Sequence, residues 1–248
     1  MSFSCGYWVH ANNLEEAQTN KLELLARKLK IKPGMTVLDI GCGWGTLARY
    51  LAAKYDAKIV GCTLHPQQGE YARKVCAGLY VDIQVMHCEQ IQGKFDRIIS
   101  VGRFCLIGRA NYHRFFKFVA RCLNDDGIFL LDTIGVNHPN VRLSDPWTQK
   151  YLFPGLEYPY HTDISKCTDG LFVLEGWANL GFHYSKTLEA WLTNLEQPKL
   201  EKMFGSHFYR MWKFFLHRQS SAFRLRKLQL WQIILTKNGF PGGYEQER

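Results

Sequence analysis

Three glycines at alternate positions, Gly41, Gly43 and Gly45, follow an apolar run that contains Asp39. Glycine is needed where the backbone takes a positive φ angle or approaches a ligand without a Cβ in the way. At the carboxyl edge of a parallel sheet, such a turn forms the floor of a cofactor crevice. The spacing therefore predicts a cofactor bound against Asp39 and the three glycines.

The residues around this turn favour S-adenosylmethionine (SAM) over NAD. A dinucleotide fingerprint needs its third glycine at the position of Thr46, and an acidic residue about 20 residues further on. The next apolar run instead ends in Gly61-Cys62-Thr63, without an acidic residue. A glycine-rich turn that holds no ligand remains the alternative interpretation.

Alternating helix and strand patterns surround the turn, beginning with a helix that Asn13 caps and that extends to Leu29. Such alternation specifies a parallel sheet with helices on both faces. After Gly135 it stops, and residues 136–172 contain four of the eight prolines. This stretch predicts an inserted cap over the carboxyl edge of the sheet. The predicted strands are 36–40, 58–62, 82–86, 95–101, 128–134 and 228–235, and the later helices are 46–54, 66–77, 111–122, 185–196 and 199–222.

Length and composition fit one domain of 248 residues, 1–248, because no repeat, linker or low-complexity tract divides it. No run approaches the ~20 apolar residues that span a bilayer, and the first residues do not form a signal peptide. The eight cysteines are scattered without a C-x-x-C pair, which favours reduced thiols in the cytoplasm. Cys62 with His65, and His87 with Cys88, lack a second ligand pair, so no metal site is predicted.

Positive charge is concentrated in the last third of a chain whose net charge is +9. Basic residues mixed with aromatic rings suit an anionic membrane surface, where each basic residue contributes about 1 kcal/mol. The same pattern could suit nucleic acid, or the aromatic residues could form an inward-facing stripe with the basic residues in solvent. The basic residues are Lys199, Lys202, Arg210, Lys213, Arg218, Arg224, Arg226 and Lys227, and the aromatic ones are Phe204, Phe208, Tyr209, Trp212, Phe214, Phe215 and Phe223.

Characteristic runs of residues extend from Phe3 to about Lys237, nearly the whole chain. They include Phe3-Ser4-Cys5-Gly6-Tyr7-Trp8, Lys32-Pro33-Gly34-Met35, Val37-Leu38-Asp39-Ile40-Gly41-Cys42-Gly43-Trp44-Gly45, Thr133-Ile134-Gly135, Asp145-Pro146-Trp147, Phe153-Pro154-Gly155, Ala222-Phe223-Arg224 and Gln229-Leu230-Trp231-Gln232. With these runs the chain resembles the cyclopropane fatty acid synthases and their relatives, the mycolic acid cyclopropane synthases.

This resemblance implies an α/β fold of the Rossmann-like, class I SAM-dependent methyltransferase type. Its sheet is mostly parallel and seven-stranded, with a helical cap insertion at about 136–225. The N-terminal domain of many family members is not in this sequence. The implied reaction is attack of an unsaturated phospholipid acyl chain on the methyl group of SAM. A bound bicarbonate then removes a proton so that the ring closes.

The resemblance also implies site residues. The SAM contacts correspond to Phe3, Ser4, Asp39, Gly41, Gly43, Gly45, Thr63, Leu64 and Gln68. The bicarbonate site corresponds to Cys5, the backbone of Ile134, and Tyr184. The implied partner is an acyl lipid at an anionic membrane surface, with peripheral association, rather than nucleic acid; a homo-oligomer stays open.

The chain departs from the family pattern at the proton-abstraction site. Cys105 and Leu106 stand where the family has Glu-His, and Asp132 stands where the family has a bicarbonate-binding histidine. A carboxylate repels bicarbonate, so we expect weaker bicarbonate binding. One hypothesis is that Asp132 is itself the base. The alternative is that Asp132 only bonds a loop backbone, while Cys105 is interpreted as a structural thiol.

Three functions therefore stay open. The first is methyl or methylene transfer to the double bond of an acyl lipid. The second is methyl transfer to a nitrogen or oxygen atom of a small molecule, which needs no bicarbonate. The third is a non-catalytic relative that keeps only SAM or lipid binding.

Overall fold

The computed structural model describes residues 2–139 and 145–247; residues 140–144 of the predicted cap, together with Met1 and Arg248, lie outside the described residues. Helices and strands alternate as far as residue 135, except that only a single 3-10 turn, Cys88–Gln90, lies between the third and fourth strands, and four further helices follow. The strands are β1 Thr36–Ile40, β2 Lys58–Thr63, β3 Val81–Val85, β4 Phe95–Val101, β5 Leu123–Gly135, β6 Val173–Asn179 and β7 Gln229–Thr236. The helices are α1 Leu14–Lys28, α2 Thr46–Tyr55, α3 Pro66–Val75, α4 Tyr112–Cys122, α5 Pro146–Tyr151, α6 His161–Thr168, α7 Gly181–Leu195 and α8 Pro198–Arg224.

The seven strands form one sheet in the order β3-β2-β1-β4-β5-β7-β6. The first five strands in that order pair in parallel, and β7 lies antiparallel between β5 and β6. Because the order reverses next to β1, the carboxyl ends of β1 and β4 border the crevice where open α/β sheets bind ligands. The predicted seven-stranded, mostly parallel sheet is confirmed.

Strand β6 has no counterpart among the strands predicted from the sequence, and it lies inside the segment assigned to the cap. It pairs only with β7, at the edge of the sheet, and its register shifts between Leu174 and Gly176. Most of its residues are half-buried rather than alternately buried and exposed. Without alternation, the sequence pattern of this edge strand could not be distinguished from that of a loop.

Helix α1 begins where the sequence predicted. The Asn13 side chain accepts a hydrogen bond from the Glu16 backbone N–H (2.9 Å), and Asn13 Nδ2 donates to Glu16 Oε1 (2.7 Å). The apolar face of the helix packs on the core, yet two lysines lie on it. Lys21 is 5% exposed and Lys28 is 2% exposed. Burial of two ammonium groups requires buried partners, and these lie at the candidate site.

The cap consists of α5 to α8. Helices α5, α7 and α8 pack in one apolar cluster with Cys5 of the N-terminal segment, whereas Ile164 of α6 packs in the cluster that contains α4. Asp145 caps α5 by accepting hydrogen bonds from the backbone N–H groups of Trp147 and Thr148 (3.0 Å each), and it forms an ion pair with Arg218 of α8. These contacts join α5 to α8 within the cap. In the part of the chain that the structure describes, no helix is long and apolar enough to cross a membrane.

Candidate functional site

The glycine turn after β1 has the backbone geometry that its sequence requires. Gly41, Gly43 and Gly45 have φ angles of 83°, 55° and 78°, in the left-handed region that glycine alone adopts readily. A Cβ atom on Gly41 would lie 2.8 Å from Cδ of Arg103. The turn therefore needs glycine both for its conformation and for the close approach of Arg103.

A cavity of about 220 Å³ lies over this turn. Seven of the nine residues predicted to bind the cofactor line it: Phe3, Ser4, Asp39, Gly41, Gly43, Thr63 and Gln68. Gly45 is outside the lining, and a Cβ on it would lie 2.9 Å from that of Ala72, so this glycine permits α2 to pack on α3. Leu64 lines a neighbouring pocket together with His65 and His87.

Asp39 is the buried carboxyl group of this first cavity. It is 1% exposed, and its Oδ2 has no hydrogen-bond partner within residues 2–139 and 145–247. Burial raises its pKa to about 7, and the nearby Lys21 opposes the rise. A buried polar atom without a protein partner is the expected acceptor for a donor on a ligand.

Lys21 also lines the first cavity, although the sequence analysis did not identify it. Its Nζ donates to the hydroxyl groups of Ser2 (3.1 Å) and Ser4 (3.2 Å), which holds the N-terminal segment over the cavity. Burial lowers its pKa to about 8, and the carboxyl groups of Asp132 and Asp39 act in the opposite direction. The available signal was a lysine on the apolar stripe of α1, four residues after the buried Ala17.

Arg103 is a second residue of this cavity that the sequence analysis missed. Its Nε is buried without a hydrogen-bond partner in the described part of the chain. The side chain also lines the pocket that contains Leu64, so it separates the two spaces. The sequence gives little signal for this placement, because an arginine after a strand is usually in solvent.

A second cavity, of about 110 Å³ and mostly apolar, adjoins the first. The two cavities share Phe3, Ser4, Gly102 and Leu106. All three residues proposed as catalytic, Cys5, Asp132 and Tyr184, line the second cavity. Its other residues are Cys105, Ile134, Phe153, Leu156, Tyr158, Leu188, Trp191, Phe215, Gln219, Phe223 and Leu230.

The thiol and phenol groups of the second cavity are protonated at neutral pH. Burial raises the pKa of both Cys5 and Tyr184 well above their usual values. Burial also raises the pKa of Cys105 to about 12. Because the thiolate is the nucleophilic form of cysteine, these side chains can serve as neutral hydrogen-bond donors or packing groups but not as nucleophiles.

Asp132 provides the only buried carboxyl group among the residues that line the second cavity. Its Oδ2 accepts a hydrogen bond from Gln232 Nε2 (2.9 Å), and Gln232 Oε1 accepts one from Lys28 Nζ (2.8 Å). Burial raises its pKa to about 6, while Gln232, Lys21 and Lys28 oppose the rise. Within residues 2–139 and 145–247, the side chain is thus bound by a neighbouring strand and not by a loop backbone.

The sheet order, the glycine turn after β1 and the cavity over that turn define the class I SAM-dependent methyltransferase fold. The chain belongs to the family described as mycolic acid cyclopropane synthetase, which matches residues 1–233. The resemblance inferred from the sequence is therefore confirmed.

One similar protein is the cyclopropane-fatty-acyl-phospholipid synthase of Escherichia coli, 42% identical over 239 residues, which are 96% of this chain and 62% of that protein. This chain thus spans about 62% of the length of that relative. Among solved structures, the cyclopropane synthase MmaA2 of Mycobacterium tuberculosis has a TM-score of 0.89 at 28% identity. CmaA1, in complex with SAH and CTAB, has a TM-score of 0.88 at 29% identity. Each alignment covers 95% of this chain and 90% of the other.

Proposed function

We propose that the chain is a SAM-dependent methyltransferase of the cyclopropane synthase type, acting on the double bond of an unsaturated phospholipid acyl chain. The observation that carries the proposal is the adjacency of the two cavities. The first combines the glycine turn with a buried acceptor on Asp39, and the second is mostly apolar and contains Asp132. A polar cofactor and an apolar acyl chain then meet at the shared wall.

The residues present fit SAM. The glycine turn allows close approach of the ligand, and Asp39 Oδ2 supplies an acceptor for a ligand donor. Thr63 Oγ1 donates to Gln68 Oε1 (3.1 Å), which leaves the amide N–H groups of Gln68 available to the cavity that both residues line. Bound SAM supplies an electrophilic methyl group. Phe3 and Ser4 separate this site from the second cavity, which is called the acyl cavity from here on.

We assign proton removal to Asp132. The methylated acyl chain must lose a proton. The electron pair of the broken C–H bond then closes the ring. The carboxylate of Asp132 accepts that proton, while Cys5 and Tyr184 stay neutral and line the same cavity. A carboxylate whose pKa lies near neutrality suits a general base. Because the same negative charge repels bicarbonate, the proposed reaction does not depend on it.

The acyl lipid would be presented at an anionic membrane surface. Met203 and Phe204, in the first turns of α8, are 68% and 53% exposed. From Phe204, aromatic rings continue along α8 through Phe208 and Trp212 to Phe215, with successive ring centroids 4.9, 6.1 and 5.7 Å apart. Phe215 lines the acyl cavity. Basic residues near the exposed end, with aromatic rings at the polar–apolar boundary, suit anionic headgroups.

The exposure of the aromatic residues of α8 bears on the two interpretations given to them, an inward-facing stripe and a membrane-facing surface. Phe215 and Phe223 are buried in the cap, as an inward-facing stripe requires. Phe204 and Phe214 are more than half exposed, as a membrane-facing surface requires. Because the exposed Phe214 directly precedes the buried Phe215, the two interpretations apply to different faces of the helix.

The test combines a binding assay with a product assay. Calorimetry measures SAM binding to the wild type, to Asp39→Asn and to the control Asp82→Asn, whose residue is exposed on β3. We expect Asp39→Asn to weaken binding at least about tenfold, and Asp82→Asn to leave it unchanged. The protein is then incubated with labelled SAM and anionic vesicles of unsaturated or saturated phospholipid.

We expect the unsaturated acyl chain alone to gain the mass of one CH₂ group. Label on a nitrogen or oxygen atom would instead support small-molecule methyl transfer. Binding of SAM without any product would support a non-catalytic relative. Absence of SAM binding would remove the proposal altogether.

A further inference from the structure

We propose that Lys28 and Gln232 are positioning residues that hold the Asp132 carboxylate ionised and directed at the acyl cavity, as a built-in replacement for a bound anion. This inference rests on the proposed function, because it assigns the base of that reaction. It concerns residues behind the cavity wall, since neither Lys28 nor Gln232 lines either cavity.

The three side chains form a buried row. Asp132 and Gln232 lie directly opposite each other in the antiparallel β5–β7 pair, and Lys28 reaches Gln232 from the last turn of α1. Asp132 is 4% exposed, Gln232 1% and Lys28 2%. The hydrogen bonds of 2.9 and 2.8 Å therefore link an ammonium group to a carboxyl group through one amide, away from bulk water.

The lysine fixes which way the amide points. An ammonium group donates hydrogen bonds and accepts none, so Gln232 must present its oxygen to Lys28. The NH₂ group of Gln232 then faces Asp132 and requires an acceptor there. Asp132 Oδ2 fills that role, and Oδ1 has no hydrogen-bond partner among the described residues. One oxygen is thus held by the protein, and the other remains for the cavity that Asp132 lines.

Charge balance supports the same assignment. Lys21 and Lys28 are seven residues apart on the buried face of α1, and both favour the charged form of Asp132. Buried ammonium groups need nearby negative charge. Above about pH 7, where both Asp39 and Asp132 are ionised, the two lysines are matched by two carboxylates. A further anion would then add uncompensated charge to the site.

The groups that face Asp132 explain its expected titration. Burial raises the pKa of this carboxyl group to about 6, against the effects of Gln232, Lys21 and Lys28. Cys5 and Cys105 also face it, but their own pKa values are raised, so they carry no charge near pH 6. Tyr184 is protonated in that range for the same reason. The positive charge of Lys28 and the hydrogen bond from Gln232 should therefore both lower the titration midpoint of Asp132.

The experiment measures the titration midpoint of Asp132 by NMR and compares it with the pH dependence of turnover. The full chain, labelled with ¹³C at aspartate carboxyl carbons, is titrated by NMR, and Asp132→Asn assigns the Asp132 signal. The variants are Lys28→Met and Gln232→Leu. The control is Lys74→Met, because Lys74 lies in the last turn of α3 but is exposed. The pH dependence of kcat is measured on the same proteins with unsaturated phospholipid vesicles.

We expect both variants to raise the Asp132 midpoint by about one pH unit, and the acid limb of kcat by the same amount. In both variants the KM for SAM should stay within about twofold of the wild type. In the Lys74→Met control, kcat and KM should stay within the same range. Unchanged midpoints in folded Lys28→Met or Gln232→Leu would overturn the inference. Should Lys28→Met not fold, Gln232→Leu alone decides.

Failure of the proposed function gives a different result. If the wild type forms no product, the proposed function fails, while the NMR midpoints still report on the buried row. If the wild type forms product but its acid limb does not move in the variants, the positioning role is wrong although the function stands.

Discussion

Phe3 stacks on Trp191, with ring centroids 4.9 Å apart and ring planes 8° from parallel. Phe3 lines both cavities, whereas Trp191 belongs to α7 of the cap and lines the acyl cavity. The contact joins the N-terminal segment to the cap at the boundary between the proposed cofactor and acyl sites. Phe3 is nevertheless 53% exposed, so it contributes more to the shape of the site than to stability.

We expect Phe3→Ala to weaken SAM binding about three- to tenfold, because it removes part of the wall of both cavities. Its free energy of unfolding should fall by less than about 1 kcal/mol, since the ring is half in solvent. Calorimetry and urea denaturation measure the two quantities. Tyr80→Ala is the control, because Tyr80 is 70% exposed and lines neither cavity. Equal losses of SAM affinity in both variants would contradict the assignment of Phe3.

Gly135 must be glycine because of Trp231. A Cβ on Gly135 would lie 2.1 Å from the ring of Trp231, which is buried between β5 and β6 and cannot withdraw. We expect Gly135→Ala to lower the free energy of unfolding by about 3 kcal/mol. The matched strand variant is Gly176→Ala, whose Cβ would have its nearest neighbour at 3.6 Å and should change stability by less than about 1 kcal/mol. Urea denaturation that gives similar values for both variants would refute this steric argument.

The fold and the first cavity could be predicted because their signals are local. The glycines of the turn and the Asn13 cap are set by backbone conformations within a few residues. The edge strand β6 could not be predicted, since its register shift and half-exposure remove the alternation that identifies a strand.

The buried row behind the acyl cavity was missed for a different reason. A lysine on a helix is exposed in most proteins, so burial of Lys28 depends on a partner 204 residues away in the chain. The alignment of Asp132 with Gln232 depends on the β5–β7 register. The one sequence signal was the stripe Ala17-Lys21-Leu24-Lys28, in which lysines occupy apolar positions of α1.

The exposed start of α8 should determine membrane binding. We expect Met203→Ser with Phe204→Ser to reduce binding to anionic vesicles about tenfold, because both side chains are mostly in solvent and beside basic residues. Tyr80→Ser is the control, since Tyr80 is 70% exposed, like Met203, but lies before β3 and outside the basic set of the last third of the chain. Vesicle co-sedimentation measures binding, and added salt should weaken the wild-type interaction. Equal retention of the double variant and the control would exclude this surface.

The raised pKa of Asp132 makes stability depend on pH. Its folded pKa of about 6 exceeds the ordinary value of 3.8, so the folded state binds the proton more tightly. Its contribution to stability is therefore present below about pH 4 and is lost as the pH rises through 6. Asp132→Asn does not titrate, so its stability relative to the wild type should increase by about 2–3 kcal/mol between about pH 4 and pH 7.

Urea denaturation across this pH range measures the difference, with Asp126→Asn, at an exposed position, as the control. A relative stability of Asp132→Asn that stays constant or decreases with pH would show that the folded pKa is not raised.

Removing the Asp132 carboxylate should convert the site into one that needs an added anion. In Asp132→Ala, Lys21 and Lys28 keep their positions on α1 but lose a counter-charge, and the acyl cavity gains space for a small carboxylate. We expect turnover to fall at least about 100-fold, as is typical for loss of a general base. Formate or bicarbonate should restore at least about tenfold of that loss, because each supplies negative charge next to the two lysines.

Wild-type turnover should not change when carbonate is stripped from the buffer. Asp126→Ala serves as the control that neither loses activity nor responds to the anions. Wild-type turnover that requires bicarbonate would show instead that the base is bound from solution and that Asp132 only lines its site.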